Sequence, residues 1–285
     1  MLSAFEEAER SSDPKVQRQY LTFVIVGAGP TGVEMAGALS EVAHHTLKHD
    51  FRTIDPETAR IVLVEAGASP LGVYNAHLQD RARQALSRLR VEFMGQSRVT
   101  EVDAEGVDVH TPTGPLRIEA KTVLWSAGVA ASPLGRKLAE AAQCDVDRAG
   151  RVVVGPDCSL PGFPDVFVIG DLASCAGRDG KPLPGLAPVA MGQGKFVARK
   201  IKARAQGKSE PQRFEYHDRG SMAVIGRYAA VANIGGRSLS GPPAWLFWVV
   251  VHLWSITQFR NRLLVMWQWA WTYFTRDRHA RLITK

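Results

Sequence analysis

Gly27-Ala28-Gly29-Pro30-Thr31-Gly32 stands directly after the apolar run 21–26 and directly before a helical pattern from Val33 to about His49. Glycines at this spacing each have a use. Gly27 permits the turn, Gly29 lets the backbone touch a diphosphate, and Gly32 lets the helix lie close to the strand. The helix start offers free N–H groups and the positive end of its dipole to the phosphates. The whole turn, Ala28, Pro30 and Thr31 included, is therefore a candidate cofactor cradle. Glu65 ends a second apolar strand, Arg60–Val64. A carboxylate there would accept from both ribose hydroxyls and repel a 2′-phosphate, favouring NADH over NADPH. Glu65 follows Gly32 by 33 residues, more than the usual offset of about 20. The long helix and the loop 50–58 absorb the excess.

The elements that must hold these residues read as alternating strand and helix. Residues 2–10 form a helical pattern, Asp13-Pro14 a loop, 77–90 a second long helix and 91–93 a short strand. Residues 97–118 alternate as hairpin material with a turn at Thr113-Gly114, and Val123-Leu124-Trp125 closes the region. This alternation predicts a doubly wound, Rossmann-type α/β domain over 1–127. After Gly128 loops lead to a strand at 166–169 ending in Gly170-Asp171; a proline- and glycine-rich stretch, 177–188, then opens a helix over 189–205. Residues 128–210 thus read as part of a second domain. The last region, 211–285, reads as a small antiparallel unit over 214–234 followed by amphipathic helices.

Bulk composition narrows the classes. At 285 residues, 45% hydrophobic and 22% charged, the chain reads as globular. The three cysteines, Cys144, Cys158 and Cys175, form no C-x-x-C pair; they read as unpaired thiols in a reducing compartment. His45 and His49 have metal-pair spacing, but no acidic or cysteine ligand completes a set, so the His44, His45, His49 group reads as a solvated helix face with no metal.

Charge and tryptophan gather at the end. Of the net +7, six basic residues against Asp277 alone fall in 244–285, together with six of the seven tryptophans. The apolar stretches 245–256 and 263–274 are too short to span a bilayer, and no secretory signal opens the chain. Tryptophan prefers the headgroup level and arginine pairs with anionic lipid, so two helices lying on an anionic lipid surface are expected. The alternatives are a buried helical hairpin or a homodimer contact. No nucleic-acid-binding fold surrounds these residues.

Several segments resemble the type II NADH:quinone oxidoreductases. These are Gly-Pro-Thr-Gly-Val-Glu at 29–34, Val-Leu-Val-Glu-Ala-Gly at 62–67, Leu-Trp-Ser-Ala-Gly-Val at 124–129, Val-Phe-Val-Ile-Gly-Asp at 166–171 and Leu-Ala-Pro-Val-Ala-Met-Gly-Gln-Gly at 186–194. Phe-Arg-Asn-Arg-Leu-Leu at 259–264 and Arg-Leu-Ile at 281–283 extend the match almost to the end. The resemblance implies two dinucleotide domains, one for FAD and one for NADH, and a non-proton-pumping enzyme on the cytoplasmic face of the inner membrane that reduces a membrane quinone. It implies roles too. Ala127 and Gly128 would line the cofactor region. Gly170 and Asp171 would hold the ribityl chain of FAD, with Val189 and Ala190 near the flavin ring. Glu34 would handle protons close to the nicotinamide, and Gln193 would help position quinone. The family carries two adjacent glutamines where this sequence has Gly192-Gln193.

Only one glycine turn is present, whereas the resemblance calls for an earlier one binding the ADP part of FAD. About one Rossmann half, on the order of 100–150 residues, is therefore expected to be missing, with the helix 5–10 resembling a linker. Weak FAD retention would follow. Two alternatives stay open: a catalytically silent, NADH-binding, membrane-peripheral remnant, and an NADH-dependent flavin reductase with another acceptor.

Overall fold

A computed structural model describes residues 1–218 and 220–275. The expected lipid contacts of Arg276, Arg278, Arg281 and Lys285, and the segment 281–283, lie outside the described residues. The described residues fold as two units, residues 1–127 with 220–275, and residues 128–218.

The first unit opens with α1 (Leu2–Arg10) and α2 (Pro14–Tyr20). The second of these stands where the sequence reads as a loop. Asp13 caps it by accepting the Lys15 N–H at 2.8 Å, and Pro14 occupies its first turn. At seven residues it is too short to show a helical period. Then come β1 (Thr22–Val26), α3 (Pro30–Glu41), β2 (Arg60–Val64), α4 (Ala76–Arg88) and β3 (Val91–Met94). A three-stranded antiparallel sheet follows, β4 (Arg98–Asp103), β5 (Gly106–Thr111) and β6 (Gly114–Glu119), and β7 (Thr122–Trp125) ends the run. The principal sheet is parallel, in the order β3-β2-β1-β7.

Strand β1 is buried throughout, and its side chains alternate between two cores. Phe23 and Ile25 join Ile61 and Leu63 on one face, beneath α1, α3 and α4. Val24 and Val26 join Val62 and Val64 on the other, against Val107, Val109 and Ile118 of the antiparallel sheet. A strand covered on both faces must read as an unbroken apolar run, as this one does. Helix α1 is part of this core: Phe5 is fully buried, with ring centroids 5.7 Å from both Phe23 and Phe51.

The long offset between glycine turn and carboxylate has a structural origin. Helix α3 runs on into a π-helical turn, Val42–Thr46, before the chain returns through a short 3₁₀ turn, Pro56–Thr58. His44 ties this excursion down. It is buried; Nε2 lies 3.2 Å from the Ala59 carbonyl and Nδ1 3.1 Å from Ser40 Oγ. Burial, the largest influence, lowers its pKa. The reading of His44 as solvated is corrected, because the π-turn rotates it inward. Among the described residues no group of His, Cys, Asp and Glu could hold a metal.

The second unit contains α5 (Pro133–Ala142), β8 (Val152–Val154), β9 (Ser159–Leu160), β10 (Phe163–Phe167), β11 (Ala173–Cys175) and α6 (Ala187–Ala205). Strands β8 and β11 pair in parallel, β9 and β10 antiparallel. Helix α5 also stands where loops are expected, capped by Ser132 with Pro133 in its first turn. Lys200 of α6 is buried and held by Asp157 and Glu210 at 3.2 and 3.0 Å. Cys158 and Cys175 are free thiols in the core of this unit.

Residues 220–275 return to the first unit as β12 (Ser221–Gly226), β13 (Ala229–Ile234) and β14 (Arg237–Ser240), an antiparallel meander, then α7 (Pro242–Ser255) and α8 (Phe259–Thr275). Strand β12 lies directly on α3 at Gly37, where a Cβ would come within 1.7 Å of the Ile225 carbonyl oxygen. Only glycine allows that approach. No helix of the described residues is long and apolar enough to cross a membrane. Each of the last two helices exposes an apolar stripe, Leu246, Val250 and Trp254 on α7, and Phe259, Leu263, Trp267 and Trp271 on α8. Spacings of four residues place each stripe on one side of its helix.

Candidate functional site

Strand register builds the site. Val26 pairs with Val64 on one side and Trp125 on the other. The next residues, Gly27, Glu65 and Ser126, therefore emerge level at the carboxyl edge of the sheet, where ligands of such sheets bind. Gly27 has φ +96°, and a Cβ there would approach Ala127 to 2.9 Å. Gly32 is tighter still, since its Cβ would lie 1.8 Å from the Gly27 carbonyl oxygen and 2.7 Å from Ser126 Oγ. A Cβ on Gly29, by contrast, would point into open space, with nothing beyond its chain neighbours within 4 Å. Gly29 is also the N-cap of α3 and no side chain caps it, so the first N–H groups of the helix stay available to an anion. Pro30 and Thr31, the first helical residues, are exposed beside this opening.

The carboxylate of Glu65 bridges the two strand ends. Oε2 accepts the Ala28 N–H at 2.7 Å and Oε1 the Gly67 N–H at 2.8 Å. The Ala28 amide thus belongs to Glu65 and not to the open part of the cradle. Sequence reasoning passed over Ser126, whose hydroxyl lies 2.8 and 2.9 Å from the Val26 and Gly27 carbonyls. Its signal was available: a small polar residue one position beyond a strand adjoining the glycine turn.

Glu34, in the second turn of α3, is half-buried, and its Oε1 accepts the Val224 N–H of β12 at 3.3 Å. Burial raises its pKa, partly offset by that hydrogen bond and by the nearby charge of His252. A carboxyl so placed holds a proton closer to neutral pH than an exposed one does.

In the second unit Gly170 has φ +66° and starts a short 3₁₀ turn, Gly170–Leu172, in which Asp171 is exposed. The Gly170 N–H donates to Gln193 Oε1 at 2.7 Å, and Ala190 Cβ would lie 3.4 Å from a Cβ on Gly170. Asp171 is left free to accept from hydroxyls. Val189 points into the core of this unit, while Ala190 is half-buried. Gly128, at φ +77°, opens the unit at an exposed position. Gln193 is only 1% exposed. Its amide oxygen therefore holds the Gly-Asp turn from a buried position, with the Cys175 thiol nearby.

Residues 1–194 match the family model described as pyridine nucleotide-disulphide oxidoreductase. The chain belongs to that family. A second model, the NDH2 C-terminal domain, matches residues 218–278. Among members of the pyridine nucleotide-disulphide oxidoreductase family, the chain is similar to two type II NADH:quinone oxidoreductases of Mycobacterium tuberculosis. It is 46% identical to Ndh over 287 residues, covering all of this chain and 61% of Ndh. Identity to NdhA is 40% over 289 residues, covering all of this chain and 60% of NdhA. The chain therefore spans about three-fifths of the length of these curated relatives. A solved structure of NDH2 from Plasmodium falciparum in complex with NADH shares the fold, with a TM-score of 0.86 at 15% identity over all of this chain and 71% of that one.

Proposed function

We propose that the chain provides the NADH-binding and membrane-facing parts of a type II NADH:quinone oxidoreductase. One observation carries the reading: Glu65 stands on the glycine turn at the end of the neighbouring parallel strand, with open space before Gly29. In this reading the uncapped start of α3 holds the diphosphate of NADH, and Glu65 accepts from the ribose hydroxyls with the lone pairs its two amide contacts leave free. Ala127 packs against Gly27 and fixes the turn.

The second unit suits FAD in part. Asp171 is exposed in its 3₁₀ turn and can accept from ribityl hydroxyls, with Gly170 held in place by Gln193. In this reading half-buried Ala190 and exposed Gly128 lie on the flavin side of their segments. FAD, when bound, supplies hydride and electron transfer; the protein's own groups bind, orient and move protons. Glu34 is the proton-handling group, supported by its raised pKa. Because Gln193 is buried and its amide oxygen already accepts the Gly170 N–H, it acts on quinone by shaping the Gly-Asp turn.

The exposed stripes of α7 and α8 support peripheral attachment to a lipid surface; the proposed surface is the cytoplasmic one, where a lipid-soluble quinone is available. Trp254 and Trp267 are 76% and 70% exposed, which is costly in water and favourable at the headgroup level. A homodimer is the competing use of those stripes.

Titration calorimetry of folded protein with NADH and NADPH tests the reading. NADH should bind, and NADPH much more weakly because Glu65 faces its 2′-phosphate. The absence of heat with NADH would overturn it. Quinone against ferricyanide turnover, with flavin content measured alongside, then separates quinone reduction from reduction of another acceptor.

A further inference from the structure

A cavity of about 1120 Å³ lies within the first unit, among α3, α4, the turn between β12 and β13, and α7 and α8. Small-molecule pockets run to roughly 300–1,000 Å³, so this one has room for a large ligand. Its walls differ in character. Helix α3 contributes Glu34 and Glu41, and both carboxylates already hold backbone donors, the Val224 N–H at 3.3 Å and the Arg227 N–H at 2.6 Å. Helix α4 contributes Arg81 and Arg88, two turns apart on its exposed face. Neither has an ion-pair partner among the described residues.

The third cation is Arg227. Its guanidinium lies 5.1 Å from the Tyr228 ring centroid and 5.6 Å from that of Tyr273, and its Nε is buried without a hydrogen-bond partner. A buried guanidinium N–H left unpaired is costly unless an acceptor comes to it. The remaining wall is aromatic, with Trp248 and Trp269 stacked at 5.4 Å and 13°. Both belong to the helices whose outer faces carry the apolar stripes.

We propose that this cavity binds one anionic phospholipid, its phosphate among Arg81, Arg88 and Arg227 and an acyl chain along Trp248 and Trp269. A free anion would satisfy the arginines and leave the aromatic wall wet. A neutral ring compound would cover the wall but leave the Arg227 Nε unpaired and Arg81 and Arg88 without an ion-pair partner. A phosphodiester carrying alkyl chains does both. The inference rests on the lipid-facing reading of α7 and α8 only for the source of the lipid.

Native mass spectrometry of the full chain in mild detergent, with dioctanoyl phosphatidylglycerol, dioctanoyl phosphatidylcholine or inorganic phosphate as probes, tests it. One phosphatidylglycerol should be retained per chain, with phosphatidylcholine bound at least about tenfold more weakly and phosphate not retained. The double variant R81Q/R88Q changes two exposed side chains and should weaken phosphatidylglycerol binding by about tenfold or more, with unchanged unfolding temperature and unchanged flotation with vesicles. Equal retention of the two lipids, phosphate bound as tightly as lipid, or an R81Q/R88Q protein that binds like wild type would each overturn the assignment. The double variant W254S/W267S separates the two claims. If it floats with vesicles as wild type does, the surface attachment fails, while the count of one bound lipid still decides the cavity.

Discussion

The carboxylate of Glu65 accepts the Ala28 N–H at 2.7 Å, linking the end of β2 to the glycine turn after β1. One side chain therefore fixes the turn and, in the proposed reading, also recognises the nucleotide sugar. E65Q keeps an acceptor but loses the charge. NADH affinity should fall about tenfold, the worth of roughly 1.4 kcal/mol in charge-assisted hydrogen bonds, and the preference over NADPH should narrow. Dissociation constants for both nucleotides measure this; an unchanged ratio would remove Glu65 from sugar recognition.

Gly37 is where α3 meets β12, its missing Cβ leaving room for the Ile225 carbonyl. The backbone cannot yield as a side-chain end does, so G37A should destabilise the protein by about 3 kcal/mol or more. Denaturant unfolding would read the loss. A neutral substitution would mean that the two elements separate easily.

His44 gives a pH signature. Burial lowers its pKa below the ordinary 6.5, so at low pH the unfolded chain takes up a proton that the folded one resists. Its contribution is complete above about pH 6.5 and is lost as pH falls through that value to its folded pKa. Stability should decline over that window, and H44Q should flatten the decline. Parallel curves for the two proteins would show that other groups govern it.

Gln193 holds the Gly170 N–H at 2.7 Å from a buried position. Q193M conserves bulk and removes the acceptor, leaving that amide unsatisfied at a cost of about 1–3 kcal/mol. Thermal unfolding should register the cost. Hydrogen exchange at Gly170 should rise more than exchange across β12–β14, an asymmetry that a general loss of stability would not produce.

The exposed stripes of α7 and α8 make the last prediction. W254S/W267S should lose most vesicle binding, and added salt should weaken the wild-type protein less than removal of the two rings does. A change in oligomeric state with vesicle binding intact would assign the stripes to a protein contact.

Much of this was legible in the residues themselves. The unbroken apolar β1, the glycine turn and a carboxylate at the end of the next strand depend on local geometry and on burial of both sheet faces, and each leaves a pattern in sequence. The short capped helices α2 and α5 left too little pattern, because caps and prolines fix them where periodicity cannot. Other relationships needed the tertiary structure. It turned His44 inward, brought Cys158 and Cys175 into one core, buried Gln193 under Gly170, and closed Arg81, Arg88 and Arg227 around one cavity with Trp248 and Trp269. Local propensity sees a few residues at a time. Which side chains share a core or a cavity is set by the register of distant strands and by how closely helices can approach, and no neighbour in sequence carries that information.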